Sequence, residues 1–492
     1  MKALLVYPAI PDTFWSFKHV MKFISRKAAH PPLGLLTIAG MLPRDWDLKV
    51  VDMNVEDLTD QHIQWADLVF TGAMVVQKDS VRKVIDRCHV LGRKVVAGGP
   101  LFSSTPEDYE DVDYLVLNEA ELTLQPFLND LAQGTPRRIY TTEEKPDIRQ
   151  TPLPRWDLIR LKDYASLSVQ YSRGCPFNCE FCDIVHLNGR VPRVKSNDQM
   201  IGEFEMIYEL GWRGSVFVVD DNFIGNKAKV KSLLREIIPW QTSRKHPFDL
   251  YTESSVNLAE DDELLELMAS AGFDSVFLGL ETPFEESLKE CGKHQNMKMN
   301  LIEAVKKIQR HGMEVMGGFI IGFDNDPPNI FERQIKFIQN SGVCKAMIGL
   351  LNALPGTRLY ERLKKEGRLI EGITGDNCDG SMNFIPKMDV KTLREGYQSV
   401  LKSLYSPKQY YQRGLEFLKT YRPNKFRRLD ASQVMAFFKS VVYLGLLDKG
   451  KNKLYYWNFV IKAALFHRKA FGTAIAQAIF GYHFRRVLGK DE

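Results

Sequence analysis

The 492-residue sequence lacks the features that mark several large classes of protein. No run of about 18 consecutive apolar residues occurs, so a membrane-spanning helix is not predicted. Seven cysteines in this length do not make a disulfide scaffold, which indicates a reducing compartment, the cytoplasm. Pro8 and Pro11 interrupt the apolar N-terminus, which is therefore not typical of a signal peptide. No internal repeat or low-complexity tract is evident.

The charge, in contrast, is plentiful and unevenly distributed. Hydrophobic residues make up 44% of the chain, enough for a sizeable core, and the net charge is +5. Residues 401–492 contain 18 Lys and Arg against 5 Asp and Glu, a net charge of +13, which leaves −8 for residues 1–400. The same tail holds 18 of the 54 aromatic residues. This basic, aromatic tail requires an explanation of its own.

Short β-rich runs alternate with helical patterns in two series, which predicts an α/β protein with parallel sheets. Residues 1–135 are predicted to form a doubly wound, Rossmann-like domain, and the Pro-rich residues 136–165 a linker. Six βα units over residues 166–360 predict a partial (β/α)6 barrel, with its chemistry on the loops that follow the strands. Residues 361–492 are predicted to be mainly helical.

Three cysteines, Cys175, Cys179 and Cys182, lie within eight residues in the pattern C-x3-C-x2-C. They cannot pair among themselves without leaving one thiol over, but they can converge on one metal centre. A cubane iron–sulfur cluster usually has four cysteine ligands, so three would leave one iron open to a substrate or cofactor. Two alternatives stay open at this point: a zinc ion completed by His186, and a redox disulfide.

The cysteine motif, with Phe181 before its third cysteine, follows the first strand of a βα series and resembles the radical S-adenosylmethionine (SAM) superfamily. The resemblance implies a [4Fe–4S] cluster on Cys175, Cys179 and Cys182. It also implies that SAM chelates the fourth iron and that Phe181 packs near the adenine.

Candidate SAM-binding residues stand at the ends of the later strands of this series. They are Asp220, Asp221, Asn222, Glu253, Gly279, Glu281 and Gly318. The first three offer acceptors to the methionyl ammonium of SAM, although Asp and Asn are also good helix N-caps. Either glutamate could reach a ribose hydroxyl or simply be a surface carboxylate. The glycines would let the backbone approach the cofactor closely.

The first domain resembles the cobalamin-binding domain that precedes the radical domain in many enzymes of the superfamily. The resemblance rests on residues 30–34, 51–54, 98–100 and 118–121, and the alternative is a flavodoxin-like domain without a ligand. Many such domains ligate cobalt with a histidine where this chain has Asn54, so we expect cobalamin without a histidine lower ligand. We expect the loop of Met74 to face the lower side of the corrin. The predicted cobalamin contacts are Gly34, Asn54, Met74, Gly98, Gly99 and Glu119.

Residues 170–184, 219–226 and 421–428 resemble a subgroup with an extra C-terminal domain, which includes the hopanoid C-2 methylase family. This implies methylation of an unactivated carbon of an isoprenoid or other lipid, with SAM used twice, and a low-potential electron donor of the flavodoxin or ferredoxin type. One alternative is C–H oxidation or ring formation with the same cofactors. Another is a corrinoid or iron–sulfur carrier without catalytic activity.

The basic aromatic tail, residues 401–492, is consistent with peripheral contact at the inner membrane surface. Lys and Arg can meet anionic head groups while aromatic side chains lie at the interface. A helical cap whose aromatic residues form core is an equal alternative. Nucleic acid binding is the weakest interpretation, although basic residues interleaved with aromatics also suit phosphates and bases.

Overall fold

The computed structural model describes residues 1–370, 372–423, 431–448 and 450–489. Part of the basic segment used for the subgroup resemblance, residues 424–428, lies outside the described residues. The described part contains two six-stranded parallel sheets followed by helices, which confirms the predicted α/β class.

The first sheet has the strand order β2-β1-β3-β4-β5-β6, and all of its pairings are parallel. Its strands are β1 (Lys2–Tyr7), β2 (Asp47–Asp52), β3 (Leu68–Gly72), β4 (Lys94–Gly98), β5 (Tyr114–Val116) and β6 (Ile139–Tyr140). The helices of this part are α1 (Lys18–Ile24), α2 (Leu33–Met41), α3 (Asp60–Trp65), α4 (Lys78–Val90), α5 (Pro100–Ser104) and α6 (Ala120–Ala132).

The strands of this sheet are apolar on both faces. In β1, Leu4 and Val6 belong to one buried cluster and Ala3 and Leu5 to another on the opposite side. Burial on both faces is the usual situation of a parallel sheet between helix layers. Strand β6 lies in the segment predicted to be a linker, so the sheet extends a few residues beyond residue 135.

The second sheet has the order β14-β13-β12-β11-β10-β7 and is also parallel, as expected for a partial barrel. Its strands, with a small antiparallel pair β8–β9, are β7 (Ser166–Val169), β8 (Ser172–Arg173), β9 (Arg193–Val194), β10 (Gly214–Val218), β11 (Phe248–Ser254), β12 (Phe273–Glu281), β13 (Glu314–Ile321) and β14 (Ala346–Leu350). The helices are α7 (Ile184–Asn188), α8 (Asn197–Glu209), α9 (Lys227–Ser243), α10 (Asp262–Ala271), α11 (Glu285–Glu290), α12 (His294–Met297), α13 (Leu301–Arg310) and α14 (Ile330–Ser341).

The two faces of the barrel strands differ in burial. Val216 and Leu250 are fully buried in the cluster that includes the outer helices. The alternating positions Phe217 and Tyr251 are only half-buried, and their rings stack at 4.8 Å. Because successive side chains of a strand point to opposite faces, these aromatic rings line the inner face of the barrel.

The segment that follows β1 crosses to this inner face. The Trp15 indole donates to the Met347 Sδ at 2.8 Å, and its ring lies 5.4 Å from that of Phe277. Further along, the His30 ring lies 5.5 Å from that of Phe217. Residues of the first domain therefore contribute to the lining of the second.

The rest of the described chain is mainly helical, apart from an irregular stretch between residues 366 and 389. The helices are α15 (Arg358–Lys365), α16 (Val390–Leu404), α17 (Pro407–Thr420), α18 (Ala431–Ser440), α19 (Asn452–Phe466) and α20 (Phe471–Val487), with a π-helical segment at Val441–Leu446. Among the described residues of the tail, nine aromatic side chains are buried: Tyr405, Tyr410, Tyr411, Phe417, Tyr421, Tyr456, Phe459, Tyr482 and Phe484. Within the described residues, no helix has the length and apolarity required to cross a membrane.

Candidate functional site

The three motif cysteines lie on the loop that leaves the barrel after β7 and β8, and none of them forms a disulfide. The loop begins at Gly174, whose φ of +99° favours glycine. A Cβ there would lie 2.9 to 3.1 Å from the carbonyl oxygens of Asn188, Gly189 and Val191. The tight start of the cysteine loop therefore requires this glycine.

The two aspartates after β10 hold the start of this loop. Asp220 is buried and accepts from the Tyr171 amide at 2.8 Å and the Ser172 hydroxyl at 2.6 Å. Asp221 accepts from the Gly174 amide at 2.7 Å and from the Asn188 Nδ2 at 2.9 Å. Both carboxylates thus position the cysteine loop. This role differs from the helix N-cap that was the alternative expected from the sequence.

Asn222 and Glu253 extend the site toward the cysteines. The Asn222 Nδ2 lies 3.7 Å from the Cys175 Sγ. Glu253, at the end of β11, has no side-chain hydrogen bond or ion pair among the described residues. Burial, followed by the charges of Asp221 and Asp220, raises the pKa of Glu253 to about 7, and burial also raises that of Asp220 to about 7. Such a group of carboxylates suits a cationic ligand, because a positive charge would offset the cost of ionising them.

The zinc alternative does not fit the geometry. Among the described residues, one group of three or more His, Cys, Asp or Glu has ligand atoms that all lie within 4.8 Å of one another, and it contains none of the motif cysteines. A zinc ion draws its ligand atoms to about 2.0 to 2.3 Å from itself, which requires closer spacing than this loop provides. The His186 ring instead lies against Gly356.

Glu281, at the end of β12, has a positive φ of 58° and forms a buried ion pair with Lys293. The ammonium of Lys293 lies 5.8 Å from the centre of the Phe181 ring. Although burial opposes it, the charge of Glu281 raises the pKa of Lys293. The Gln295 Nε2 lies 4.0 Å from the Cys179 Sγ. Lys293 and Gln295 were not predicted from the sequence, because nothing in their local pattern marks them.

The two predicted barrel glycines lie close to other side chains of the protein. A Cβ on Gly279 would collide with the ion-paired atoms of Glu281 and Lys293. A Cβ on Gly318 would lie 2.8 Å from the Phe277 ring. The neighbouring atoms are side-chain ends, so the contact of either glycine with SAM stays a prediction.

Asn54, at the end of β2, braces the loops of the first domain. Its Oδ1 accepts from the Ile10 amide at 2.7 Å, and its Nδ2 donates to Asp52 at 2.8 Å and to the Pro8 carbonyl at 3.3 Å. The Nε2 of Gln77 also donates to Pro8, at 2.6 Å. The side chain of Asn54, which stands where many such domains have a histidine, is thus hydrogen-bonded within the protein and provides no imidazole.

The remaining predicted contacts on the first domain lie near the carboxyl edge of its sheet. Gly98 is required by packing, since a Cβ would lie 2.5 Å from the Val116 carbonyl oxygen. Gly99 has a φ of +88°, which favours glycine. Gly34 faces open space, and Met74 is 44% exposed. An open edge with an exposed thioether fits a broad, flat macrocycle, and three thiols without disulfide partners fit an iron–sulfur cluster.

Glu119 joins the two domains. Its carboxylate binds the guanidinium groups of Arg173, at 2.9 Å, and Arg193, at 2.8 Å. Arg173 also pairs with Glu121 at 2.9 Å, and all four side chains are largely buried. Arg173 directly precedes the cysteine loop, so this network fixes the loop relative to the first domain. The arginines were missed because their partners lie more than 50 residues away in sequence.

Helix α15 supports the cysteine loop from the other side. Arg362 pairs with Glu180 at 2.7 Å, and the Leu359 amide donates to the Glu180 carbonyl at 3.0 Å. A guanidinium nitrogen of Arg358 donates to the Asn178 carbonyl at 2.6 Å. The region after the barrel therefore takes part in building the site.

Models of three known families match successive parts of the chain. The B12 binding domain matches residues 23–128, the Radical SAM superfamily matches residues 169–338, and a domain of unknown function, DUF4070, matches residues 357–490.

Related proteins cover nearly the whole chain. It is 44% identical to an uncharacterized methyltransferase of Synechocystis sp., over 86% of this chain and 80% of the relative. It is 34% identical to the hopanoid C-2 methylase of Rhodopseudomonas palustris, over 94% of this chain and 89% of the relative. The fold is similar to that of the radical SAM methyltransferase TsrM from Kitasatospora setae with cobalamin and a [4Fe–4S] cluster bound, with a TM-score of 0.62, 15% identity, and coverage of 97% of this chain and 98% of TsrM.

Proposed function

Because this chain belongs to the cobalamin-binding radical SAM methyltransferases, in the subgroup that includes the hopanoid C-2 methylase, we propose that it methylates an unactivated carbon of an apolar, isoprenoid-type lipid. Its cofactors are a [4Fe–4S] cluster, SAM and cobalamin. When bound, the cluster supplies the electron that cleaves SAM, and cobalamin supplies the methyl group.

The observation that carries the lipid proposal is the aromatic inner face of the barrel. Phe217, Tyr251 and Phe277 alternate with the buried outer positions of their strands, and Trp15 lies against the same face. A face of half-buried rings favours a hydrocarbon ligand, since the rings themselves present little polar surface that would have to be desolvated. The names of the hopanoid methylases of this family point to the same substrate class.

In this proposal the protein's own residues position the cofactors. Cys175, Cys179 and Cys182 hold the cluster, while Asp220 and Asp221 keep their loop in place. Glu253 binds the ammonium of SAM as a carboxylate. The aromatic inner face holds the substrate and excludes water from the reacting carbon.

Lipid analysis of cells that express the chain tests the substrate class. Total lipids of a host supplied with polycyclic triterpenoids would be compared by mass spectrometry with those of the same host expressing Cys179→Ala. We expect a new triterpenoid species heavier by 14 mass units, the mass of one CH2, only with the intact chain. A methylated product confined to water-soluble metabolites would contradict the proposal. A mass change of −2 would indicate ring formation instead.

We further propose that the tail contacts an anionic membrane surface. Exposed apolar side chains cluster on α18, the π-helical segment and α19: Val434, Met435, Phe438, Val442, Leu446, Leu447, Leu454, Ile461, Leu465 and Phe466. Exposed basic residues stand beside them at Lys451, Lys453, Lys462, Arg468 and Lys469. Apolar insertion combined with basic contacts is typical of interfacial helices. The buried aromatic residues of the tail are part of the protein core and are not available to a membrane. The proposal therefore rests on the exposed apolar side chains.

Co-sedimentation of the full chain with liposomes tests this contact. We expect binding to anionic vesicles at low salt and much weaker binding for Phe438→Asp, because a charge would replace an exposed ring. Val90→Asp is the matched control, since Val90 is 86% exposed on α4 of the first domain. Equal sedimentation of all three proteins would contradict the proposal, and binding to nucleic acid in place of vesicles would favour the weaker alternative.

The cofactor chemistry requires a reductant. We propose that a low-potential flavodoxin or ferredoxin donates the electron. This proposal rests only on the chemistry of the iron–sulfur cluster.

A further inference from the structure

A group of potential metal ligands lies away from the cysteine loop, where the segment after β1 meets the last helix. Asp12 lies in that segment, His19 in α1 and His483 in α20. One ligand atom from each of the three lies within 4.8 Å of the other two. The group therefore joins three separate elements at one point.

His483 is the buried member of the group. It is fully inaccessible to solvent, and its Nε2 donates to the Phe14 carbonyl at 3.0 Å, an oxygen that can only accept. Its Nδ1 then carries a lone pair, and this buried nitrogen has no hydrogen-bond partner among the described residues. A buried polar atom left unpaired costs about 1 to 3 kcal/mol. A metal ion bound to Nδ1 would remove this cost.

The other two members are accessible from solvent. The His19 Nε2 lies 2.6 Å from the Asp12 Oδ2, and the two side chains are 31% and 41% exposed. The hydroxyl of Ser16 donates to the other Asp12 oxygen at 3.3 Å. The rings of His19 and His483 are 5.5 Å apart between centroids. An ion could thus enter from the Asp12 side and reach the buried imidazole.

We propose that Asp12, His19 and His483 bind one zinc ion that ties the segment after β1 to the last helix. Two imidazole nitrogens and one carboxylate oxygen form a common zinc ligand set, and a fourth position stays open to water. The Phe14 carbonyl, which accepts from the opposite ring nitrogen of His483, is the usual second partner of a metal-binding histidine. This site contains no thiol and is separate from the cluster.

The position of the site gives the ion a structural role. Trp15 stands three residues after Asp12 and lies against Phe277 and Met347 on the inner face of the barrel. Fixing Asp12 and His19 against α20 holds this tryptophan in place. The ion would therefore stabilise the inner face of the barrel at Trp15 without taking part in the reaction.

Metal analysis of the full chain tests the site. Protein purified without a metal-affinity column and carrying a fully reconstituted cluster would be equilibrated with zinc, desalted and measured by mass spectrometry for zinc and iron. We expect about one more zinc per chain in the wild type than in His19→Ala, with equal iron in both. Zinc should also raise the melting temperature of the wild type by a few degrees and leave that of His19→Ala unchanged.

His89→Ala is the matched control. His89 pairs with Asp113 at 3.3 Å, with exposures of 33% and 27%, but no second histidine completes this pair among the described residues. We expect His89→Ala to retain zinc like the wild type. Equal zinc content in the wild type and His19→Ala would overturn the proposal. Because His19 is partly exposed, its replacement tests the site without the folding risk of replacing His483.

Discussion

The carboxyl edges of the two parallel sheets use their polar side chains differently. On the barrel, Asp220 and Asp221 hold the cysteine loop, and Glu253 has no side-chain partner among the described residues. On the first sheet, Asn54 and Gln77 bind the main chain of the loop after β1. One edge has a carboxylate available for a ligand, whereas the corresponding amides of the other are occupied within the protein.

This difference matches the chemistry of the two cofactors. SAM carries a localised positive charge on its ammonium, which a carboxylate in a buried position binds well. Cobalamin presents a broad macrocycle, for which open backbone and an exposed side chain such as Met74 are suitable. We therefore expect SAM to be bound electrostatically at the barrel edge and cobalamin to be bound by shape at the edge of the first sheet. Replacement of single residues at either edge should break this contrast.

The largest effect is expected from Cys179→Ala. With one of three thiolates missing, the cluster should not assemble, and formation of 5′-deoxyadenosine from SAM should fall to background. The measurements are the visible absorbance of the reconstituted protein and mass spectrometry of the nucleoside. Cys88→Ala is the control, because Cys88 is fully buried in the core of the first domain. Retained SAM cleavage in Cys179→Ala would contradict the cluster assignment.

A smaller effect is expected from Glu253→Gln, which removes the unpaired charge at the barrel edge. We expect SAM to bind about tenfold more weakly, which corresponds to about 1.4 kcal/mol. Because the pKa of Glu253 is raised to about 7, the wild type should also lose affinity as the pH falls below 7 and the carboxylate is protonated. The variant should show a shallower pH dependence, to which Asp220 still contributes.

Calorimetric titration of SAM into the cluster-loaded protein at pH 6 and pH 8 would measure both effects. Glu56→Gln serves as the control, since Glu56 is an exposed carboxylate near the end of β2. Should Glu253→Gln show the pH dependence of the wild type, the ammonium of SAM must bind elsewhere.

The features that could be predicted from the sequence are those whose pattern is local in the chain. The cysteine spacing and the strand patterns are contiguous in the chain, and they predicted the position of the cysteine loop and both parallel sheets. Lys293 escaped because its importance comes from Glu281, twelve residues earlier and on another element. Arg358 escaped because it meets the cysteine loop 180 residues away. Contacts of this kind follow from tertiary packing, which no local pattern encodes.

Some residues were identified correctly as unusual, but packing alone accounts for them. Gly98 was predicted to admit a cofactor, yet the Val116 carbonyl already requires a glycine there. Strand β6 was assigned to the linker because two residues are too short for a periodic signal, and only its pairing with β5 reveals it. A glycine in the sequence therefore does not show whether a ligand or a neighbouring strand lies against it. A loop-like sequence likewise does not exclude a short strand.

The smallest effect is expected from Asn54→Ala, at the carboxyl edge of the first sheet. Loss of its hydrogen bonds to Ile10, Asp52 and Pro8 should lower the melting temperature by a few degrees, since each net bond contributes about 1 kcal/mol. The absorbance spectrum of bound cobalamin should stay unchanged, because Asn54 is committed to the loops and is not expected to ligate cobalt. Asn129→Ala, on the exposed face of α6, is the control for the thermal measurement. A shifted cobalamin spectrum with an unaltered melting temperature would show the reverse: Asn54 would then contact the cofactor, and the first sheet would share the polar character of the barrel edge.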